Sequence, residues 1–212
     1  IRLVGGIANQ AALAIESAML YQSQQEEAWV STALLQVAQA VAEQPTLEEG
    51  LETVARLTPM LVGIEKVAIY QWNAEAGLFH PRQIVGLDKS AAGLAELTAT
   101  AEELGVHLHE METPSFHFHL PERLARVFGL EMCLIWPLWA RGDLLGALVV
   151  EPVRDTSRRM SILSGIAHQL SLAMENARLA RNVALQERME HEMELGRDIQ
   201  ASFLPDACPV VP

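Results

Sequence analysis

One stretch of this chain occurs twice, and that duplication limits the fold more than any other feature. Near the start, Gly6-Ile7-Ala8-Asn9-Gln10 is followed by Leu13-Ala14-Ile15-Glu16-Ser17-Ala18-Met19-Leu20. The pattern returns, at a constant offset, as Gly165-Ile166-Ala167-His168-Gln169 and Leu172-Ala173-Met174-Glu175-Asn176-Ala177-Arg178-Leu179. Two unrelated amphipathic helices share apolar spacing, but not Gly, Gln and Glu at the same places. A repeat one domain long describes a tandem array, not a solenoid of short units. Residues 1–25 are therefore expected to be the closing helix of an upstream copy with its linker, and 26–180 one whole domain. The first residue is Ile1 and the last is Pro212 after a run of turn formers, so both ends are expected to be cuts in a longer protein.

Composition narrows the partners. Half of the 212 residues are hydrophobic, enough to bury a sizeable core. The net charge of -12 disfavours nucleic acid and anionic membranes, which repel an acidic surface. The densest basic group, Arg154, Arg158 and Arg159, is interrupted by Asp155. Cys133 and Cys208 make no disulfide framework, and Cys133 reads as a small core residue in an apolar run. The apolar runs Cys133–Ala140 and Leu144–Val150 are far shorter than a membrane span, and no signal segment opens the chain. The expected compartment is the cytoplasm.

Between the repeats the pattern is α+β. A helix is expected over Gln24–Glu43 and ends at Pro45; Thr46, with Glu49 three residues on, opens a second as a capping box. Lys66–Trp72 reads as a strand, joined through the turn-rich Asn73–Gly77 to another extended stretch reaching Gly86. A second hairpin runs from Cys133 to Trp139, turns at Arg141-Gly142-Asp143 and continues from Leu144 to Glu151. Its strands are apolar on both faces, so the sheet must be covered on both sides. Pro137 cannot donate to a ladder and predicts an edge or a bulge. The spacing predicts helices over Ala92–Leu104, stopped by Gly105, and just after Pro121, stopped by Gly129.

These residues carry a family likeness. Ile135-Trp136-Pro137-Leu138-Trp139-Ala140-Arg141-Gly142-Asp143-Leu144-Leu145-Gly146-Ala147-Leu148 resembles the PL-x-x-x-G-x-x-x-G-x-L segment of GAF domains, and Gly165 through Ala177 looks like their last helix. The resemblance covers about residues 30–180. It implies a central antiparallel sheet with helices on one face and a small-molecule pocket on the other, flanked here by long N- and C-terminal helices. Some members bind cyclic nucleotides, haem or bilins. The Asn-Lys-Phe-Asp-Glu pattern of the cyclic-nucleotide binders is not visible, and Cys133 is followed by Leu134 where bilin attachment usually has His.

Tyr70, Phe116, Phe118, Phe128 and Trp136 are the candidate walls of such a pocket, although aromatics serve more often as plain core. His107 and His109 share one face of an expected strand, as do His117 and His119 of the next. Paired across Glu112–Ser115, they could hold a zinc or offer a haem ligand, or respond to pH between 5 and 7. The plainer reading, a half-buried hairpin with Phe116 and Phe118 inward, is preferred because structural zinc sites usually include Cys. No metal site is assigned, no cofactor is required by the sequence, and no catalytic spacing emerges. The fragment is expected not to be an enzyme.

From Met160 a helical pattern runs to about Phe203, with Leu163, Ile166, Leu170, Ala173, Ala177, Ala180 and Ala184 forming a heptad seam. Past Gln186 the seam becomes irregular. A polar helix about 60 Å long is unstable alone, so it is expected to pair with its own copy in a parallel homodimer; folding back on its own domain is the alternative. Residues 181–204 then form a coiled-coil output linker. Met193–Pro205 resembles the E-L-x-x-x-I-Q-x-x-L/F-L-P entry segment of SpoIIE-type serine phosphatases, which are protein phosphatase 2C-like. Gly196 stands where Ala is common. The resemblance implies that 205–212 begin a truncated phosphatase domain, whose Mn or Mg ligands would lie further on. The chain is thus expected to be a GAF-type sensor and dimerisation module of a bacterial signalling protein, with a possible unidentified small-molecule ligand. A ligand-free scaffold, or the sensor of a histidine kinase or cyclase, are the alternatives.

Overall fold

A computed structural model describes residues 2–87, 97–106, 115–153 and 157–203, with side chains for all of these except 2–9, 11–12, 115–118, 198 and 200–203. The order is α1 (Arg2–Ala42), α2 (Leu47–Val62), β1 (Val67–Asn73), β2 (Leu78–Val85), β3 (Ala99–Thr100), β4 (Ser115–His119), α3 (Glu122–Phe128), β5 (Met132–Ala140), β6 (Asp143–Val150) and α4 (Ser157–Phe203). The chain divides into two compact units, Ile1–Ala173 and Met174–Pro212.

In the first unit the six strands form one sheet in the order β3-β2-β1-β6-β5-β4, and every pair is antiparallel. The hairpin turns follow from local chemistry. Arg141 (φ 52°) and Gly142 (φ 90°) both occupy the left-handed region, as a tight two-residue turn between right-twisted strands requires. Gly86 (φ 78°) sits so close to Glu65 that a Cβ there would enter the Glu65 carbonyl. Thr46 caps α2 by accepting the Glu49 N–H at 3.3 Å, and Gly63 (φ 72°) closes its other end. Among the described residues β4 reaches along β5 to Ile135, short of Pro137, which stands opposite Ala147 of β6. The ladder between β5 and β6 then bulges at Leu138/Trp139.

Alternation sorts the strand residues into two buried layers. Val67, Ile69, Leu134, Trp136, Leu138, Leu148 and Val150 share the face toward the helices. α2 packs on β1 and β2, and α1 packs on α2. The early part of α4 buries Ile162, Leu163, Ile166 and Leu170. The heptad seam expected to face a partner is therefore spent, in its first three positions Leu163, Ile166 and Leu170, inside the unit's own core. At about 25 cal/mol per Å², covering these side chains contributes on the order of 2 kcal/mol each.

Residues 98–104 form no helix, contrary to that part of the Ala92–Leu104 expectation; residues 92–96 lie outside the described ones. Instead β3 is followed by a single turn. Thr100 Oγ1 accepts the Glu103 N–H at 3.1 Å, and the Glu103 carboxylate accepts the Thr100 N–H at 2.9 Å. This reciprocal capping competes with helix propagation.

The second unit contains the remainder of α4. It carries a surface ion pair, Arg188–Glu192 at 3.1 Å, and a pair between Arg178 and the buried Glu175 at 2.9 Å, and leaves Val183, Leu185, Met189, Met193, Leu195 and Ile199 exposed. Among the described residues no helix is long and apolar enough to cross a membrane.

Candidate functional site

The face of the sheet away from α1 and α2 is where the first unit gathers its least explained chemistry. Ala68 and Tyr70 of β1, Phe79 of β2, Cys133 and Ile135 of β5, and Ala147 and Val149 of β6 point to it. Leu97, Leu104 and Val106 from the β3 turn and Leu124 and Phe128 from α3 close over them as one buried cluster. Phe79 meets the Tyr70 ring edge-on at 6.4 Å and lies 4.7 Å from Trp72.

Polar contacts hold this cover in place. Arg123 of α3 donates to the Thr98 carbonyl at 2.7 Å and to both Glu103 oxygens at 3.0 and 3.2 Å. Burial alone would raise the Glu103 pKa, but hydrogen bonds from the Thr100 backbone and Arg123 outweigh it and hold the carboxyl below its usual range. At the other end of α3, Lys66 Nζ donates to the Phe128 and Gly129 carbonyls at 3.0 and 3.2 Å, satisfying the orphan helix terminus. α3 is thereby tied to β3 and to the start of β1.

Beneath the cover lies an unsatisfied group. The Tyr70 hydroxyl is wholly buried and has no hydrogen-bond partner among the described residues. Burial pushes its pKa well above the ordinary value, the Arg123 charge opposes this, and Cys133 and Glu103 add to it. Burial likewise pushes the Cys133 thiol up to about 12, which leaves it protonated and a poor nucleophile. An unpaired hydroxyl in this setting costs about 1–3 kcal/mol. It is also a polar handle with which this face could orient a small apolar molecule.

The structure brings together two of the five expected wall residues. Tyr70 and Phe128 belong to the cluster described above. Trp136 stands on the opposite, helix-covered face, beside Leu134 and Leu138 and paired with Leu148. Phe116 and Phe118 lie in β4, with Phe118 in register with Cys133, and their side chains fall outside the described residues. His107 and His109 are also outside them, as is the His117 side chain, while His119 is exposed. The strand β4 pairs with β5 in the sheet. Among the described residues no group of three His, Cys, Asp or Glu side chains could hold a metal.

Sequence reasoning missed Arg123, Glu103 and Lys66. The spacing Thr100-x-x-Glu103 carried the signal for the first two, since it is the capping-box pattern already read at Thr46 and Glu49. Nothing in the sequence points Lys66 at α3.

A family model for the GAF domain matches residues 46–174. Among solved structures, the chain is similar to the GAF domain of a phosphoenolpyruvate-protein phosphotransferase from Coxiella burnetii. The identity is 20%, covering 72% of this chain and 96% of that one, with a TM-score of 0.60. It is similar to the GAF domain of a protein assigned as a sensor histidine kinase from Pseudomonas syringae pv. tomato, at 21% identity over 78% of this chain and 98% of that one, TM-score 0.57. A third is the phycocyanobilin-bound GAF domain of a cyanobacterial phytochrome, at 16% identity over 71% and 96%, TM-score 0.55. Identities this low speak for the fold. No curated protein matches the sequence.

Proposed function

Since the chain belongs to the GAF domain family, whose members act as sensor modules in signalling proteins, we propose that it is the cytoplasmic sensor of a bacterial signalling protein and drives a C-terminal SpoIIE-type serine phosphatase. In this reading the fragment itself catalyses nothing. The face around Tyr70 senses, α4 carries the signal, and a phosphatase beyond Pro212 supplies the Mn- or Mg-dependent chemistry. The observation that carries the reading is the dual use of α4. The helix buries Ile166 and Leu170 in the module's core, and the same helix extends to Phe203 within the phosphatase-entry motif Met193–Pro205.

Output through a helix needs a partner helix, and α4 presents a stripe suited to one. Leu172, Asn176, Leu179, Val183, Gln186, Glu190 and Met193 recur at alternating steps of four and three. Leu172, Val183 and Met193 are 43%, 55% and 73% exposed. In α1 the counterparts of Leu172 and Leu179 are Leu13 and Leu20, and each is 60% exposed. A parallel homodimer through both helices would cover all of them. This stripe replaces the alanine-rich seam as the proposed interface.

The test is a one-residue insertion after Gln186 in the full-length protein, which turns everything downstream by about 100°. Hydrolysis of a phosphoserine protein substrate should change at least several-fold. Unaltered activity and regulation would overturn the coupling, and a kinase or cyclase output would overturn the phosphatase assignment.

A second reading is supported by the cover of the sensing face, where Leu104 and Leu124 are fully buried and Phe128 nearly so. A face filled by its own side chains suits a ligand-free dimerisation scaffold. Native mass spectrometry separates the two readings: a bound small molecule favours sensing, and a bare protein mass favours the scaffold.

A further inference from the structure

The duplicated helix gives two copies of one surface, and they are in different states. In α4, Ile166, Ala167 and Leu170 are 0%, 6% and 0% exposed, the side that a sheet-centred module needs for its own closure. The constant offset places Ile15 one turn past the counterpart of Leu170 and on the same side of its helix, yet Ile15 is 58% exposed. Met19, one turn on along the same side, is 67% exposed. A shallow cleft of roughly 580 Å³ runs there, lined by Ile15, Glu16, Met19, Leu20 and Ser23. Leu13, outside this cleft, matches Leu172, and the two are 60% and 43% exposed, so exposure there is common to both copies and needs no further occupant than the proposed dimer.

We infer that the Ile15/Met19 side of α1 is the docking surface for a second GAF-fold module, which precedes Ile1 on the same polypeptide and closes on this helix as the present module closes on α4. The repeat chooses this occupant, since Ile15 continues the helix side whose counterpart residues Ile166 and Leu170 seat a module of this fold. The inference rests on the family membership and not on the phosphatase assignment. Charge adds one requirement. Glu175, at 4% exposure, is ion-paired with Arg178 three residues on. Glu16 stands at the same position, but Met19 replaces the arginine. Once Glu16 is covered, its counter-charge or N–H donor must come from the docked module, because a buried carboxylate left unpaired is costly.

The test uses photo-crosslinking from benzoylphenylalanine in place of Ile15 in the full-length protein, with isotopically heavy and light copies mixed before irradiation. The expected adduct is intrachain, to a peptide N-terminal to Ile1. Adducts to residues 2–173 of a second copy, or no adduct, would overturn the inference. Ile15→Glu supplies an independent arm. It should leave the melting of the 212-residue chain within about 1–2 °C, because Ile15 is exposed there, yet lower a transition of the full-length protein by about 5 °C or more. Equal small shifts in both would count against it.

Discussion

Gly165 of α4 lies so close to Leu34 of α1 that a Cβ on the glycine would collide with both Leu34 methyl carbons. The missing side chain is what lets the two helices approach over the sheet. Gly165→Ala should therefore lose about 1–2 kcal/mol, the overpacking cost exceeding the roughly 1 kcal/mol that Ala contributes as a better helix former. In a Leu34→Ala background the same substitution should become neutral or stabilising. Urea denaturation of the four chains measures the coupling, and additivity would refute the contact.

Tyr70→Phe removes a hydroxyl that is buried without a hydrogen bond. In the ligand-free protein the variant should gain about 1 kcal/mol, because the unsatisfied group is gone and the ring remains. Any small molecule retained by the parent chain should be lost or held more weakly. A loss of stability above about 1 kcal/mol would mean that the hydroxyl is bonded after all.

The Glu103–Arg123 pair predicts an acid-side dependence. Its carboxyl titrates below the ordinary value of 4.5, so the stability it contributes is present above that pH and is lost as pH falls through the depressed value. Both side chains are partly solvated, 30% and 42% exposed, which keeps the contribution to at most about 1 kcal/mol. Glu103→Gln should flatten the drop in urea midpoint between pH 5 and pH 3. An unchanged drop would assign the effect to other carboxylates.

Thr46→Ala should cost about 1 kcal/mol by removing the acceptor of the Glu49 N–H, while Thr46→Ser should restore most of it. Circular dichroism melts of the three proteins suffice.

Both hairpins, the Thr46 cap, the α3 stop at Gly129 and the reach of α4 to Phe203 were legible because each depends on neighbouring residues. The turn after β3 was not read correctly: Ala92–Leu104 is rich in helix formers, and the reciprocal Thr100–Glu103 bonding prevailed over propensity. Of the expected wall residues, Tyr70 and Phe128 share one buried cluster, whereas Trp136 faces the helices. Aromatic composition alone does not say which face a strand residue takes. Register does, and register is set by pairing across the sheet. The helical seam was misjudged for a related reason. Leu163, Ile166 and Leu170 have the period of a coiled coil, but a helix that closes its own module shows the same period.

A module that signals through paired α4 helices must bring two copies of α4 together, and disulfide trapping tests that most directly. In a Cys133→Ser, Cys208→Ser background, Leu172→Cys should oxidise to a covalent dimer, since a parallel pair brings the two copies of that position together. Arg181→Cys, half a turn around the same helix, should stay monomeric under the same conditions. If Leu172→Cys runs only at the single-chain mass of 23.3 kDa, or both variants trap equally, the pairing of α4 proposed here is contradicted.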